Sequence, residues 1–329
     1  MSTSSKTTSY NNVLENTFSN LEPKNFRVDY KSPPIVFVCG GPILENSLRA
    51  LIFESLDEEG SVLEGNMVFA ENIKDYFKDG AYKDLMDFED DIANISSLII
   101  ICLESAGSLV ELGLFCNRKE IKNRLLVFVP DEEVQGNIEK EIPEYSSFIY
   151  LGPLQSLKDE CADSVRIYPF PKKDKFGGGY EEIDFIKEDI LNKYAKTKKL
   201  DVFDENNSGH LAFLIYEIIR VAQPIKLTEI ELALICMEID IEQKVVTRLI
   251  YLISNFKLIS CYEYSNTKYY YVFNRELNKV KLKSSFDFKN STRELFHSFN
   301  PTFNKQIDEA NKKRFAVFKH IIKKVEVTK

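Results

Sequence analysis

Between residues 35 and 168, short apolar runs recur at intervals, all but the last unbroken by a charged residue. They are Ile35-Val36-Phe37-Val38-Cys39, Met67-Val68-Phe69-Ala70, Leu98-Ile99-Ile100-Ile101-Cys102-Leu103, Leu125-Leu126-Val127-Phe128-Val129, Phe148-Ile149-Tyr150-Leu151 and Val165-Arg166-Ile167-Tyr168. Runs of four to six apolar residues bounded by turn residues read as strands buried on both faces. Residues 43–56, 84–95 and 108–117 between them have helical spacing. This strand–helix alternation predicts an α/β fold with a parallel sheet covered on both sides, of Rossmann or flavodoxin-like type. Residues 169–180, with Gly177-Gly178-Gly179, read as a loop, and residues 181–199 as a helix with a basic end.

The pattern changes after residue 210. Residues 211–221 form a helix that stops before Pro224, and 228–239 a second with Thr228 as N-cap and Glu231 three residues on. Residues 241–255 form a third, whose buried face is Val246, Leu249, Ile250 and Ile253. Its opposite face carries Lys244, Thr247, Arg248 and Tyr251. Two strands follow, 258–264 and 268–273, joined at Ser265-Asn266. Three helices and a hairpin in this order predict a winged helix, a helix-turn-helix variant. Lys244, Thr247, Arg248 and Tyr251 are then candidates for phosphate and base-edge contact, with protein docking as the alternative use of the face. An outward ring among Tyr269-Tyr270-Tyr271 would add a base-stacking surface. Residues 311–324 make a basic amphipathic helix that either packs on the winged helix or adds backbone contacts to a nucleic acid.

These elements divide the chain into a flexible arm (1–30), an α/β domain (31–200), a linker (201–210, centred on 204–209), a winged-helix domain (211–283) and a basic helical tail (284–329). Charge sharpens the division. Residues 211–329 hold 20 Lys and Arg against 13 Asp and Glu, whereas the whole chain has a net charge of −8. The acidic front and basic back suggest different partners, with a polyanion for the back. The six cysteines form no C-x-x-C pair and read as reduced core residues, and the three histidines are isolated. No metal site is expected. No apolar stretch is long enough to cross a membrane and residues 1–10 lack a secretory h-region, so a cytoplasmic protein with no membrane partner is expected.

The densest candidate chemistry is Glu104-Ser105-Ala106-Gly107-Ser108-Leu109-Val110-Glu111, directly after the third apolar run. A small-residue loop joining a strand to a helix lies at the carboxyl edge of the sheet, where open α/β sheets bind ligands. The loop offers two carboxylates and two hydroxyls and no Lys or Arg, which suits a sugar or nucleoside. Ser108-x-x-Glu111 fits a capping box, with Glu111 in the first helical turn. It also fits catalysis, because an ionised carboxylate there can attack a sugar carbon. Gly40-Gly41, after the first strand, is either a tight turn or a place where a ligand approaches the backbone.

With these residues located, residues 35–151 resemble the nucleoside 2-deoxyribosyltransferase fold family. The resemblance is carried by Val36-Phe37-Val38-Cys39-Gly40-Gly41, Glu104-Ser105-x-Gly107-Ser108 and Val110-Glu111-Leu112-Gly113. It implies Glu111 as the nucleophilic glutamate and Glu89, on the preceding helix, as the acid that positions the base. It also implies Glu104 as part of an acidic loop beside the nucleophile, with Gly40, Gly41, Ser105, Gly107 and Ser108 lining the substrate. The whole chain, with its basic second half, is similar to effectors encoded with bacterial retrons. That resemblance implies association with a retron reverse transcriptase and its RNA-linked single-stranded DNA, which hold a toxic activity inactive until phage infection. It further implies cleavage of the N-glycosidic bond of NAD or a related nucleotide, which is a substrate, with no cofactor. A homo-oligomer is left open. The chain departs from its relatives at Ser96-Ser97, where many carry an acid, and at Ala106, where such effectors carry Pro. These departures motivate the alternative of a catalytically degenerate, nucleotide-sensing, DNA-binding regulator.

Overall fold

The computed structural model describes residues 9–41, 47–69, 80–135, 150–171, 180–283, 299 and 309–327. Its strands are β1 (Arg27–Asp29), β2 (Val36–Cys39), β3 (Met67–Val68), β4 (Leu98–Cys102), β5 (Leu125–Pro130), β6 (Val165–Tyr168), β7 (Leu200–Val202), β8 (Ile259–Tyr264), β9 (Thr267–Val272) and β10 (Val280–Lys281). The principal helices are α1 (Tyr10–Phe18), α2 (Leu48–Leu56), α3 (Leu85–Ile95), α4 (Ala106–Phe115), α5 (Ile183–Lys196), α6 (Ser208–Ala222), α7 (Leu227–Cys236), α8 (Gln243–Asn255) and α9 (Glu309–Val327). The chain forms two compact units. One comprises Pro33–Asp75 and Phe88–Lys199; the other comprises Met1–Ser32, Tyr76–Asp87 and Leu200–Lys329.

The first unit is built on a five-stranded sheet in the order β3-β2-β4-β5-β6, parallel throughout. The apolar runs make this sheet because every strand needs both faces covered. Val36, Val38, Leu98, Ile100, Leu126 and Phe128 face Leu48, Ile52 and Leu56 of α2 and Ile186 and Ile190 of α5. Phe37 points the other way and meets Phe115 of α4 edge-on with ring centroids 6.4 Å apart, within the range of roughly 4.5–7 Å usual for such pairs. The mixed α/β architecture with five parallel strands fits a Rossmann-like domain, as expected. Counted within the sheet, the order is 2-1-3-4-5, so the winding reverses between β2 and β4. One expected strand is corrected: Tyr150–Leu154 is a π-helical turn containing Pro153, which cannot donate to a ladder. The first half of that run (148–149), residues 1–8, 42–46 and Ala70, His297, and Gly177-Gly178-Gly179 lie outside the described residues.

The second unit joins the two ends of the chain. Residues 10–29, expected to belong to a flexible arm, form α1 and β1. Tyr10, Leu14 and Phe18 recur at helical spacing on α1 and are all buried, and β1 is the central strand of an antiparallel sheet β10-β1-β7. The expected linker is likewise ordered. Leu200–Val202 is β7, and Asn207 caps α6 by accepting the Gly209 and His210 N–H groups. Helices α6, α7 and α8 and the β8–β9 hairpin follow in the expected order. The hairpin turns at Ser265 and Asn266, both at positive φ (51° and 56°), the backbone that a two-residue hairpin requires. The cap of α7 is Lys226 rather than Thr228, and Glu229 rather than Glu231 accepts the cap N–H at 2.8 Å. Helix α9 covers the hairpin: Val317 and Ile321 pack on Tyr269 and Tyr271, and His320 stacks on Tyr262 at 4.0 Å. Among the described residues, no helix is long and apolar enough to cross a membrane.

Candidate functional site

The switch point between β2 and β4 gathers the expected site residues. Gly40 and Gly41 leave the carboxyl end of β2, and Leu103 to Ser105 leave the neighbouring end of β4. The two loops touch. A Cβ on Gly40 would meet Arg49 Cδ at 3.2 Å and Cys102 Cβ and carbonyl oxygen at 3.3 Å; one on Gly41 would meet Glu104 Cβ at 3.2 Å. The Gly-Gly pair therefore has a packing reason, close approach of β2 to β4. Gly107 has none: a Cβ there would find only Ser105 Oγ at an ordinary 3.6 Å.

Helix α4 begins two residues earlier than its pattern suggests. Ser105 is the N-cap, and its Oγ accepts the Ser108 N–H at 3.2 Å while Ser108 Oγ accepts the Ser105 N–H at 3.2 Å. Ser108 is thus the third helical residue, not the cap, and Glu111 lies in the second turn, not the first. Both changes bear on the chemistry. Glu111 does not cap α4, because that work is done by the Ser105–Ser108 pair. It also gains less from the helix dipole, which fades beyond the first turn. Instead it sits half-buried among Ser108, Leu112 and Phe115, the buried face of α4, while Val110 points outward at 66% exposure.

Glu89, half-buried on α3, and Glu111 converge on the end of β2. Burial pushes the Cys39 thiol well above its ordinary range, and the carboxylates of Glu111 and Glu89 push it further. At the end of β4, the Cys102 thiol is raised by burial and then by Glu104 and Glu111. Glu104 has a different task. Its Oε1 accepts the Leu48 N–H at 2.6 Å, so it closes the N-terminus of α2. Burial raises its carboxyl pKa, and hydrogen bonds from the Leu48, Gly41 and Arg49 N–H groups with the Arg49 charge work against that rise.

Two further groups escaped the sequence reading. Arg49, 2% exposed on α2, donates from Nη1 to the Gly41 carbonyl at 2.9 Å and lies 4.6 Å from the Phe69 ring centroid. The 104–111 loop itself contains no cation, but the fold supplies one from a segment 55 positions before Glu104 in chain order only by tertiary packing, which periodicity does not reveal. Tyr180 stands over the ends of β4 to β6: burial raises its phenol pKa, and Glu182, Tyr168, Asp131 and Cys102 contribute to the same rise. Among the described residues, no group of His, Cys, Asp and Glu could hold a metal ion.

The other candidate surface, on α8, is more covered than expected. Lys244 is exposed and pairs with Glu242 at 2.6 Å, and Thr247 is exposed with its hydroxyl donating to the Gln243 carbonyl at 3.0 Å. Arg248 and Tyr251, however, are only partly exposed. Arg248 lies 3.9 Å from Asp87 and 5.5 Å from the Tyr82 ring centroid, and Tyr251 meets Tyr82 edge-on at 6.3 Å. The 82–87 segment thus takes up half of the expected face. On the hairpin, Tyr269 and Tyr271 are buried and Tyr270 is partly exposed, the expected alternation. On α9, Lys312, Lys313, Lys319 and Lys323 are exposed, whereas Arg314 is buried.

Comparison with known proteins points to retron effectors. An Escherichia coli protein named "Retron Ec73 putative ribosyltransferase/DNA-binding protein" is 30% identical over 162 residues, 44% of this chain and 47% of that relative. The match therefore spans about half the length of the relative. The family model described as "STM3845 retron effector protein" matches residues 45–261, more than half of the chain and inclusive of Glu89, Glu104, Glu111 and α8. The chain belongs to the STM3845 retron effector protein family.

Proposed function

We propose that this retron effector is an N-glycosidase that cleaves NAD or a related nucleotide, with Glu111 as the carboxylate beneath the anomeric carbon. The observation that carries the reading is the position of Glu111: a carboxylate on the buried face of a helix, released from capping by Ser105 and Ser108, at the switch point of the sheet. Breaking an N-glycosidic bond develops positive charge on the sugar, which a carboxylate stabilises or captures covalently; water then releases the sugar. Nicotinamide leaves NAD as a neutral base from a cationic ring, so no general acid is needed, which suits a site of carboxylates. Glu89 positions the base, Glu104 organises the loop, and Gly40, Gly41, Ser105 and Ser108 line the sugar. The ribosyltransferase wording in the E. coli relative's name supports the same class of bond.

In this reading α6 to α8 and the β8–β9 hairpin form a winged helix that holds the effector on the retron's RNA-linked DNA or its reverse transcriptase. The exposed lysines of α8 and α9 and the DNA-binding wording in the relative's name support it. The enzyme is tested by incubating the purified protein with NAD, free of reverse transcriptase and nucleic acid, and following nicotinamide. Release, suppressed on adding back the retron complex, is the expected result. A protein that binds NAD without cleaving it would be the nucleotide-sensing regulator instead.

A further inference from the structure

Arg49 stands where two rules oppose it. It is the second residue of α2, the positive end of the helix dipole, and it is 2% exposed. A buried guanidinium is retained only where anions and hydrogen bonds compensate it. The compensation lies in the candidate site. Nη1 donates to the Gly41 carbonyl at 2.9 Å, the Phe69 ring lies beneath at 4.6 Å, and Glu104 closes the same helix end through the Leu48 N–H at 2.6 Å. The Arg49 charge acts on both Cys39 and Cys102, the two thiols that feel Glu111.

We infer that Arg49 is a positioning residue for the cleavage proposed above: it fixes the Gly40–Gly41 turn and lets Glu89, Glu104 and Glu111 share one pocket while ionised. Carboxylates gathered in a partly buried site repel one another, and without a cation one of them takes up a proton. Arg49 lies outside the 104–111 loop and need not touch substrate. Its effect reaches the reaction through Glu104, Gly41 and the field at Glu111. The groups that act on the Glu104 carboxyl are the Leu48, Gly41 and Arg49 N–H groups and the Arg49 charge, and Glu104 and Arg49 both act on the Cys102 thiol.

The inference rests on the N-glycosidase reading only for its kinetic arm, so two readouts are used. The first is the titration of the Glu104 carboxyl by carbon NMR in wild type, Arg49→Lys and Arg49→Met, with circular dichroism as the folding control. Loss of a neighbouring opposite charge raises a carboxyl by about 1 pH unit or more, whereas Lys keeps the charge and should leave the midpoint near wild type. The second is nicotinamide release from NAD across pH. Arg49→Met should move the acid limb of kcat/KM to higher pH and lower kcat more than it raises KM. Arg49→Lys, which keeps charge but loses the planar fork to Gly41, should lower kcat by about tenfold with the pH profile unchanged. If Arg49→Met does not fold, Arg49→Gln, which keeps a donor for Gly41 without the charge, replaces it. Should wild type release no nicotinamide while the Glu104 midpoint shifts as stated, the N-glycosidase reading fails and the role of Arg49 stands. A Glu104 midpoint that is the same in the charged and uncharged variants overturns the inference, whatever the kinetics.

Discussion

Arg314 separates a structural from a nucleic-acid-binding role for the C-terminal helix. It is one of the basic residues of a helix that was expected either to pack on the winged helix or to contact nucleic acid, and it is 4% exposed. Its Nη2 reaches Glu229 Oε1 at 2.5 Å, its other guanidinium nitrogen donates to the Pro224 carbonyl, and its Cζ lies 3.5 Å from the Tyr10 ring centroid. Arg314→Met leaves the Glu229 carboxylate buried with its main ionic partner gone, a change that costs about 3–5 kcal/mol. Loss of the contact with Tyr10 adds roughly 0.5–2 kcal/mol. Two contacts reduce the penalty: Glu229 keeps the Lys226 N–H at 2.8 Å, and Lys226 Nζ stands 3.6 Å away. The expected net loss is about 3 kcal/mol, seen as a fall of about 1–2 M in the urea midpoint of this unit by circular dichroism. Arg314→Met combined with Glu229→Met removes both charges and should recover most of that loss, leaving about 1 kcal/mol for the vacated helix cap. A single substitution that costs under about 1 kcal/mol, or a double whose cost equals the sum of the singles, refutes the clamp.

Three other outcomes follow from the same contacts. Lys279, 0% exposed, has its pKa lowered by burial to about 7, with Asp29 acting in the opposite sense. The unfolded chain then binds more protons than the folded one between about pH 7 and 10.4, so stability should rise through that window by up to ~1.4 kcal/mol per pH unit; a Lys279→Met difference curve that is flat there contradicts it. Ser105→Ala removes the α4 cap and should cost about 1 kcal/mol in thermal unfolding; no loss would mean that the Ser105 hydroxyl adds nothing to the helix end. Exposed Lys244 should carry more of the polyanion binding than Arg248, which Asp87 and Tyr82 engage: Lys244→Ala should reduce the salt slope of binding to the retron's DNA by about 1, and Asp87→Ala should strengthen that binding. Association that ignores salt and survives nuclease would assign this face to a protein partner instead.

The sequence was most legible where one physical rule dominated. Apolar runs such as Leu98 to Cys102 read as parallel strands because they are short, rich in β-branched residues and flanked by helical patterns. The 148–151 run was read likewise, but its second half lies in a π-helical turn with Pro153. Ser265-Asn266 marks the hairpin because few residue pairs accept that turn. Residues 10–29 were misread because Tyr10, Leu14 and Phe18 are sparse apolar positions whose partners, among them Phe299 and α7, lie at the far end of the chain. The start of α4 was misplaced by two residues because Ser105 and Ser108 are equally good caps, and only the backbone geometry chooses between them. The placement of Glu111 and Gly40-Gly41 at the carboxyl edge of the sheet was readable from their strand–loop contexts. Arg49, and the Tyr82–Asp87 cover on α8, depend on long-range packing that leaves no local pattern.

The claim that matters most is that the Glu111 charge, not its shape, performs the chemistry. Glu111→Gln keeps the volume and hydrogen-bonding reach of the side chain, and α4 keeps its Ser105–Ser108 cap, so folding should change little. Single-turnover nicotinamide release from NAD, measured for wild type and Glu111→Gln freed of reverse transcriptase and nucleic acid, reads that charge directly. The expected result is a loss on the order of a hundredfold or more in the Gln protein, at unchanged melting temperature, with loss of growth arrest in cells. A Gln protein that releases nicotinamide and arrests growth like wild type would contradict the account.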